Sequence, residues 1–387
     1  MTRVTGDWLT APATQRVLNL LTDAGHQALV VGGCVRNALL GVPVSDVDIA
    51  TDAVPERVIA LAEAAGLKPV PTGIDHGTVT VVTEGEGLEV TTFRKDVETD
   101  GRRAVVHYST RIEDDALRRD FTMNALYARA DGTVIDPLGG LPDLEARKVR
   151  FIEDATTRIR EDYLRTLRFF RFTAWYADPE TGFDADALAA IADTLDGLET
   201  LSRERIGGEV MRLLGAPDPA QAVAIMARTG VLTRIMPRAD SRALGPLVAA
   251  EAALGLTADP VRRLVSLGQV DPVGLRLSKD RQRRVALYQS LISGTETLAE
   301  IAYRHDIQTA LSTLALRSAM LETPLTAPDT VALKAAENAR LPVKARDLMP
   351  EYQGPALGAR LQELETRWIA SGFTLTREAL LASEDER

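Results

Sequence analysis

Two aspartates separated by one residue form the first candidate reactive centre of this chain. Asp46 and Asp48 flank Val47 and precede the apolar Ile49. If the segment is a strand, its two-residue period places both carboxylates on one face, with Cα atoms about 6.6 Å apart. Two like charges held together need a cation, and Mg²⁺ prefers oxygen ligands. A solvated acidic turn is the alternative interpretation.

A third carboxylate is available in the run EVTTFR, which begins at Glu89. On its own, a glutamate in a strand is usually a solvated edge residue. Together with Asp46 and Asp48 it could hold two metal ions, which would activate an attacking hydroxyl and neutralise a leaving pyrophosphate. The three acids therefore predict a phosphoryl-transfer centre.

A glycine pair precedes these acids. Gly32 and Gly33 end the apolar run ALVV, and Arg36 follows within one turn. Glycine lets backbone N–H groups approach a ligand closely, and the beginning of a helix favours anions. Arg36 could clamp a phosphate there, although a plain turn between strand and helix would look the same.

The segment RRDFTMN combines arginine with polar acceptors. The guanidinium forks of Arg118 and Arg119 suit a triphosphate, whereas Asp120 or Asn124 could hydrogen-bond a ribose hydroxyl. A basic helix face is the alternative interpretation.

A single helix is predicted over the segment RIREDYLRTLRFFRF, residues 158–172. Glu161 and Arg165 are spaced i, i+4 in the favoured orientation, and Asp162 can share the face of Arg165. An aspartate acceptor beside an arginine fork can read cytosine or adenine, because both present an amine donor next to a ring-nitrogen acceptor. A salt-bridged surface helix would also carry this charge pattern.

The elements that position these residues change character along the chain. Short β-branched runs, ALVVGG, GTVTVVT, LEVTTF and TVIDP, predict strands between residues 28 and 136, with helices over 15–24 and 55–65. After Leu141 the apolar spacing becomes helical. We therefore predict an α+β fold in three parts: a mixed-sheet head (1–140), a helical neck (141–215) and a helical body and tail (216–387).

Composition narrows the function classes. The chain has 387 residues, a net charge of −10 and one cysteine, so no intrachain disulfide can form and a cytoplasmic protein is expected. No segment approaches the roughly 20 apolar residues of a membrane span. The net charge argues against a generally basic nucleic-acid coat, but five cations fall within residues 276–284 and could contact RNA phosphates. No pattern specifies an oligomeric state.

GGCVRNALLG followed by SDVDIAT resembles the signature of class II tRNA nucleotidyltransferases and bacterial poly(A) polymerases, in the polymerase-β nucleotidyltransferase superfamily. RRDFT and EDYLR extend the resemblance from about residue 28 to 214. It implies a polymerase-β-like head and Mg²⁺ held by Asp46 and Asp48, with Glu89 as a third catalytic carboxylate. The nucleotide-binding residues that it implies are Gly32, Gly33, Arg36, Arg119, Asp120, Asn124, Asp162, Arg165, Arg168 and Arg171, and Glu161 would position Arg165. One departure is Asn37, where most members have aspartate.

The resemblance implies template-independent addition of CCA to the 3′ end of tRNA, with CTP and ATP as substrates and pyrophosphate as product. A poly(A) polymerase or an enzyme that adds only A would use the same scaffold. The segment TGIDHGTVTVV lacks the arginine-rich sequence expected of bacterial poly(A) polymerases, which favours CCA addition. Residues 94–108 match the flexible loop of CCA- and A-adding enzymes. A non-catalytic tRNA-binding protein is less favoured because all three carboxylates are present.

Overall fold

The computed structural model describes residues 2–97 and 105–382. The chain divides into two compact units, Met1–Ile235 and Met236–Arg387. Every helix within the described ranges is too short or too polar to cross a lipid bilayer.

The first unit contains a mixed sheet of seven strands in the order β3-β4-β5-β2-β1-β8-β9, and a separate ribbon of β6 and β7. The strands are β1 (Ala28–Val31), β2 (Asp48–Thr51), β3 (Lys68–Gly73), β4 (Thr78–Thr83), β5 (Glu86–Thr92), β6 (Arg94–Val97), β7 (Val105–Tyr108), β8 (Tyr127–Ala128) and β9 (Val134–Ile135). The predicted flexible loop falls partly on the ribbon, and its centre, residues 98–104, lies outside the described residues.

Helices surround this sheet and continue beyond it. Those of the first unit are α1 (Asp7–Thr10), α2 (Pro12–Asp23), α3 (Gly33–Leu40), α4 (Pro55–Ala64), α5 (Ile112–Leu117), α6 (Leu141–Glu145), α7 (Ala155–Glu161), α8 (Leu164–Tyr176), α9 (Ala185–Asp193), α10 (Arg203–Leu214), α11 (Ala220–Arg228) and α12 (Val231–Ile235). The predicted α+β class is confirmed.

Alternation of side chains explains why one face of the sheet is covered. In β4, Val79 and Val81 are fully buried while Thr78 and Thr80, which alternate with them, are half-buried. Helix α2 begins with a proline in its first turn and buries Val17, Leu18 and Leu21 on one face. Burial of these apolar groups, worth about 25 cal/mol per Å², stabilises the packing of helices on the sheet.

The register of the sheet brings two predicted carboxylates together. β2 and β5 run parallel, with Asp48 opposite Glu89, so the two residues are neighbours across strands about 4.8 Å apart. Strand β2 begins at Asp48, and Asp46 lies in the preceding coil rather than in the strand. The prediction of a shared strand face for Asp46 and Asp48 was therefore wrong, because only Asp48 belongs to the strand.

The predicted single helix over residues 158–172 is also wrong, because it breaks between α7 and α8. Asp162 has an extended backbone (φ −152°, ψ 103°), and its carboxylate accepts a hydrogen bond from the N–H of Leu164 at 3.1 Å. Aspartate competes with helical hydrogen bonds in this way. The ring of Tyr163 lies against Gly197, where a Cβ atom would be 1.8 Å from the ring. These contacts fix the break.

The second unit is helical. Its helices are α13 (Leu244–Ala253), α14 (Pro260–Ser266), α15 (Lys279–Ser293), α16 (Leu298–Arg304), α17 (Ile307–Met320), α18 (Thr330–Asn338), α19 (Gly354–Ala370) and α20 (Arg377–Leu381). Glu251 of α13 is buried and accepts hydrogen bonds from both Arg262 and Arg263 of α14, at 2.8 Å and 2.9 Å. Separate apolar clusters surround Leu311 and Trp368.

Candidate active site

Two cavities border Asp48 at the edge of the sheet where β2 and β5 begin. The first, of about 450 Å³, we call the arginine cavity; its arginines are Arg36, Arg118, Arg119, Arg165, Arg168 and Arg205. The second, of about 720 Å³, we call the carboxylate cavity; its acids are Asp46, Asp48, Glu86 and Glu89. A positively lined space and a negatively lined space thus meet at one aspartate.

The charge at Asp48 is electrostatically unfavourable in the protein alone. Partial enclosure by the protein raises the pKa of Asp48, and the nearby carboxylates of Glu89 and Asp46 raise it further. Carboxylates crowded in this way favour a bound cation.

No three His, Cys, Asp or Glu side chains in residues 2–97 and 105–382 converge closely enough to hold a metal ion unaided. The donor set nevertheless fits Mg²⁺, which keeps several waters and binds through one or two carboxylates together with substrate phosphates. Asp48 and Glu89 are the neighbouring pair, and Asp46, which accepts a 2.8 Å hydrogen bond from Ser45, lines the same cavity.

Gly32 is required at the mouth of the arginine cavity. It has φ of +73°, and a Cβ atom there would lie 3.2 Å from the Nη1 atom of Arg119. A side chain at this position would be strained and would crowd that guanidinium. The glycine therefore lets the end of β1 pass close to Arg119.

Arg36 belongs to the first turn of α3 and is buried, and this burial lowers the pKa of its guanidinium group. It donates to Asn124 at 2.5 Å and to the Tyr176 hydroxyl at 2.9 Å, and it stacks on the Tyr176 ring. Asn37 accepts from Arg36 at 2.8 Å and donates to the carbonyl of Pro43 at 3.0 Å. The donation to Pro43 needs an amide, which an ionised aspartate would lack.

Asp115 of α5 organises the RRD segment and was not predicted as a site residue. Its buried carboxylate pairs with Arg118 at 2.7 Å and Arg119 at 3.0 Å, and accepts from the Tyr127 hydroxyl at 2.7 Å. Burial alone would raise the pKa of Asp115, but the two guanidinium groups outweigh burial and lower it. Its i, i+3 and i, i+4 spacing to Arg118 and Arg119 could have predicted these ion pairs from the sequence.

Asp120, in the RRD segment, connects this segment to α8. The carboxylate accepts from Asn124 at 2.9 Å and from Arg168 at 2.6 Å. Although burial opposes ionisation, Arg168 and Asn124 lower the pKa of Asp120. Since Asn124 also binds Arg36, one chain of hydrogen bonds runs from Arg36 to Arg168.

The two residues predicted to read a base both line the arginine cavity, but they do not pair with each other. Arg165 donates to Glu161 at 2.5 Å, and to the carbonyls of Arg158 and Arg118. Asp162 pairs instead with Arg205 of α10, at 2.7 Å. The break between α7 and α8 separates the two side chains.

Arg171 turns away from the arginine cavity. It binds the buried carboxylate of Glu209 at 2.6 Å and lies over the ring of Phe172. Arg36 and Arg168 also lie over that ring, at 5.0 Å and 5.4 Å from its centroid. Phe172 and Glu209 thus support the arginines; nothing in the sequence linked Glu209 to a residue 38 positions earlier.

Most of the residues predicted from the sequence are brought together. The arginine cavity is lined by Gly32, Gly33, Arg36, Asp48, Arg119, Asp120, Asn124, Asp162, Arg165 and Arg168. The carboxylate cavity is lined by Asp46, Asp48 and Glu89. Glu161 and Arg171 lie behind the lining side chains.

Replacing Asp115 by asparagine tests how the arginines are held. Asp115→Asn leaves two guanidinium groups without a buried counter-charge, so we expect unfolding at pH 7 to be easier by about 3 kcal/mol. The lowered pKa means that this stabilisation is full above about pH 4, the value in an unfolded chain, and is lost as the pH falls through the folded-state pKa. Denaturant unfolding at pH 7 and pH 3 measures both effects.

Asp23→Asn, at an exposed carboxylate near the end of α2, is the matched control and should change the free energy of unfolding by less than about 0.5 kcal/mol. An Asp115→Asn protein as stable as the wild type at pH 7 would contradict the role given to Asp115.

Sequence families match the chain in two places. Residues 28–150 match the Poly A polymerase head domain, and residues 182–242 match the family described as the probable RNA and SrmB-binding site of polymerase A. The first match contains β2 and β5, which carry Asp48 and Glu89, and the RRD segment. The second contains α10.

Individual relatives extend the likeness over nearly the whole chain. The chain is 31% identical over 380 residues to CCA tRNA nucleotidyltransferase 1, mitochondrial, of Mus musculus, covering 94% of this chain and 87% of that protein. It is 33% identical to the CCA-adding enzyme of Latilactobacillus sakei, covering 94% and 95%. The structure of the Bacillus stearothermophilus CCA-adding enzyme in complex with CTP matches with a TM-score of 0.70 at 27% identity, over 92% of each chain. The chain belongs to the family of CCA-adding tRNA nucleotidyltransferases and poly(A) polymerases.

Proposed function

We propose that this enzyme adds CCA to the 3′ end of tRNA without a nucleic-acid template, consuming CTP and ATP and releasing pyrophosphate. The observation that carries the proposal is the meeting of the arginine cavity and the carboxylate cavity at Asp48. A nucleoside triphosphate needs cationic donors along its phosphates, whereas the transfer step needs carboxylates beside the α-phosphate. The names of the relatives, from bacterial to mitochondrial, support the same activity.

In the transfer step, the 3′ hydroxyl oxygen of the RNA attacks the α-phosphorus. The O3′–P bond forms, the bond from the α-phosphorus to the bridging oxygen breaks so that pyrophosphate leaves, and the proton of the hydroxyl passes to solvent water. Arg118 and Arg119, aimed by Asp115, offer donors to the phosphates. Gly32 keeps the backbone close to Arg119.

Asp48 and Glu89, with Asp46 beside them, would hold Mg²⁺. When bound there, a divalent cation lowers the pKa of the attacking hydroxyl and neutralises charge on the phosphates. The raised pKa of Asp48 supports this assignment because a carboxylate crowded by two others is stabilised by a cation.

Selection of cytosine and adenine falls to Asp162 and Arg165. The carboxylate accepts from the exocyclic amine, and the guanidinium donates to the adjacent ring nitrogen. Glu161 and two backbone carbonyls hold Arg165 in one orientation, which supports this role.

An extension assay tests the proposal. Three tRNA transcripts ending before CCA, after C and after CC each receive Mg²⁺ with CTP, ATP or both, and the products are resolved to single nucleotides. We expect growth to stop at complete CCA on all three transcripts. Addition of A alone to the CC-ended transcript would make the protein an A-adding enzyme, and a long ladder of A would make it a poly(A) polymerase.

Loss of one carboxylate should separate binding from chemistry. Asp48→Asn keeps the side-chain shape and removes its charge, so nucleotide incorporation should fall by at least about 10³-fold while tRNA still binds. Single-turnover extension and a filter-binding titration measure the two quantities. Glu63→Gln, on an exposed part of α4, is the control. Incorporation by Asp48→Asn at the wild-type rate would remove Asp48 from catalysis.

The three predicted parts of the chain suit three roles in this function: the head (1–140) carries the carboxylates, the neck (141–215) reads the base, and the body and tail (216–387) bind tRNA. In the last part, Arg276, Lys279, Arg281 and Arg283 are exposed. Arg284 is paired with Asp259. Exposed cations on a chain with a net charge of −10 favour contact with a polyanion.

The salt dependence of tRNA binding tests this surface. Lys279 and Arg283 are one helical turn apart on α15, and replacing both by glutamine should make the slope of log affinity against log salt less steep by up to about 1.8. Arg57→Gln with Lys68→Gln, at exposed positions of the first unit, makes the same charge change and should leave the slope unaltered. An unchanged slope in the α15 variant would place the RNA elsewhere.

We also propose a cytoplasmic location, which the single buried thiol of Cys34 suits, since cytosolic thiols stay reduced. Recovery of the protein in a membrane-bounded organelle on cell fractionation would contradict it, and the mouse relative is mitochondrial by name.

A further inference from the structure

Arg205 lies in the wall of the arginine cavity. It projects from the first turn of α10, which begins after Ser202 caps the helix. Its Nη2 atom is 2.7 Å from the Oδ2 atom of Asp162. Both side chains are partly exposed, at 47% and 33%, so the pair borders the cavity rather than the core.

The contact has a consequence for the two residues that read the base. If this aspartate and this arginine were paired directly, the carboxylate oxygens and the guanidinium N–H groups would be occupied by each other. Here Glu161 holds Arg165, whereas Arg205 holds Asp162, and the two members of the reading pair stay apart. One acceptor group and one donor group therefore remain available to a ligand.

Arg205 also sets the orientation of the carboxylate. Oδ1 of Asp162 accepts from the N–H of Leu164 at 3.1 Å, and Oδ2 accepts from Arg205. Each carboxylate oxygen has two lone pairs, so one on each oxygen remains free. With two of the four sites occupied from fixed directions, the carboxylate plane cannot rotate without breaking a hydrogen bond.

We propose that Arg205 is a positioning residue for nucleotide selection, which orients Asp162 toward the exocyclic amine of cytosine or adenine. The proposal rests on the function proposed above. The favoured ligand is a nucleotide whose base presents an amine donor beside a ring-nitrogen acceptor. Uracil and guanine present a carbonyl where Asp162 needs a donor, and a fixed carboxylate repels it.

Stability is not the main contribution of this ion pair. Partly exposed pairs contribute about 0–1 kcal/mol, because both charges remain hydrated. Removing Arg205 should therefore leave the fold intact and free Asp162 to rotate or to pair with Arg165. Selectivity, rather than melting temperature, is the property expected to change.

The test compares Arg205→Ala, Arg205→Lys and the control Arg203→Ala. Arg203 is exposed in the same turn of α10 and donates to the carbonyl of Ile235, and it does not line the cavity. We measure kcat/KM for CTP against UTP on a transcript ending before CCA, and for ATP against GTP on a transcript ending in CC. Equilibrium binding of CTP and UTP gives a second measurement that does not depend on catalysis.

We expect Arg205→Ala to lower the selectivity ratios at least about tenfold, the effect of roughly one misplaced hydrogen bond, with an unchanged melting temperature. Arg205→Lys should restore most of the ratio, and Arg203→Ala should match the wild type. Wild-type ratios in Arg205→Ala, in both the kinetic and the binding measurement, would overturn the inference. Failure of the wild-type enzyme to extend any transcript would instead overturn the proposed function.

Discussion

Guanidinium groups repel one another, and the arginine cavity places six of them around about 450 Å³. The fold tolerates this concentration of charge because carboxylates lie behind the arginines: Asp115 behind Arg118 and Arg119, and Asp120 behind Arg168. Each acid orients a fork and offsets part of its charge. An arginine has five N–H donors, so donors remain for an anionic ligand after the carboxylate is satisfied.

The same contacts connect the sheet to the helices that follow it. Arg36 of α3 binds Asn124, Asn124 binds Asp120, and Asp120 binds Arg168 of α8. The ring of Phe172 contacts the guanidinium groups of Arg36 and Arg168 through cation–π interactions. One hydrogen-bonded network therefore connects α3, the RRD segment and α8.

The sequence predicted what depends on local spacing and motif. It predicted the α+β class, strands β1, β4, β5 and β9, and a set of residues of which most line the two cavities. It failed where other contacts override helix preference: the predicted helix breaks at Asp162, whose carboxylate accepts from the N–H of Leu164, and Tyr163 lies on Gly197. Arg205 and Glu209 come from a later helix, and no local spacing connects them to their partners Asp162 and Arg171.

The proposed selection of both cytosine and adenine by Asp162 and Arg165 requires that CTP and ATP bind in turn in one cavity, the arginine cavity bordered by Asp48. Isothermal titration of the whole chain with CTP, with ATP, and with CTP in saturating ATP tests this claim directly. We predict one nucleotide bound per chain and loss of the CTP signal when ATP occupies the cavity. Two nucleotides bound per chain, or undiminished CTP binding in saturating ATP, would contradict a shared site.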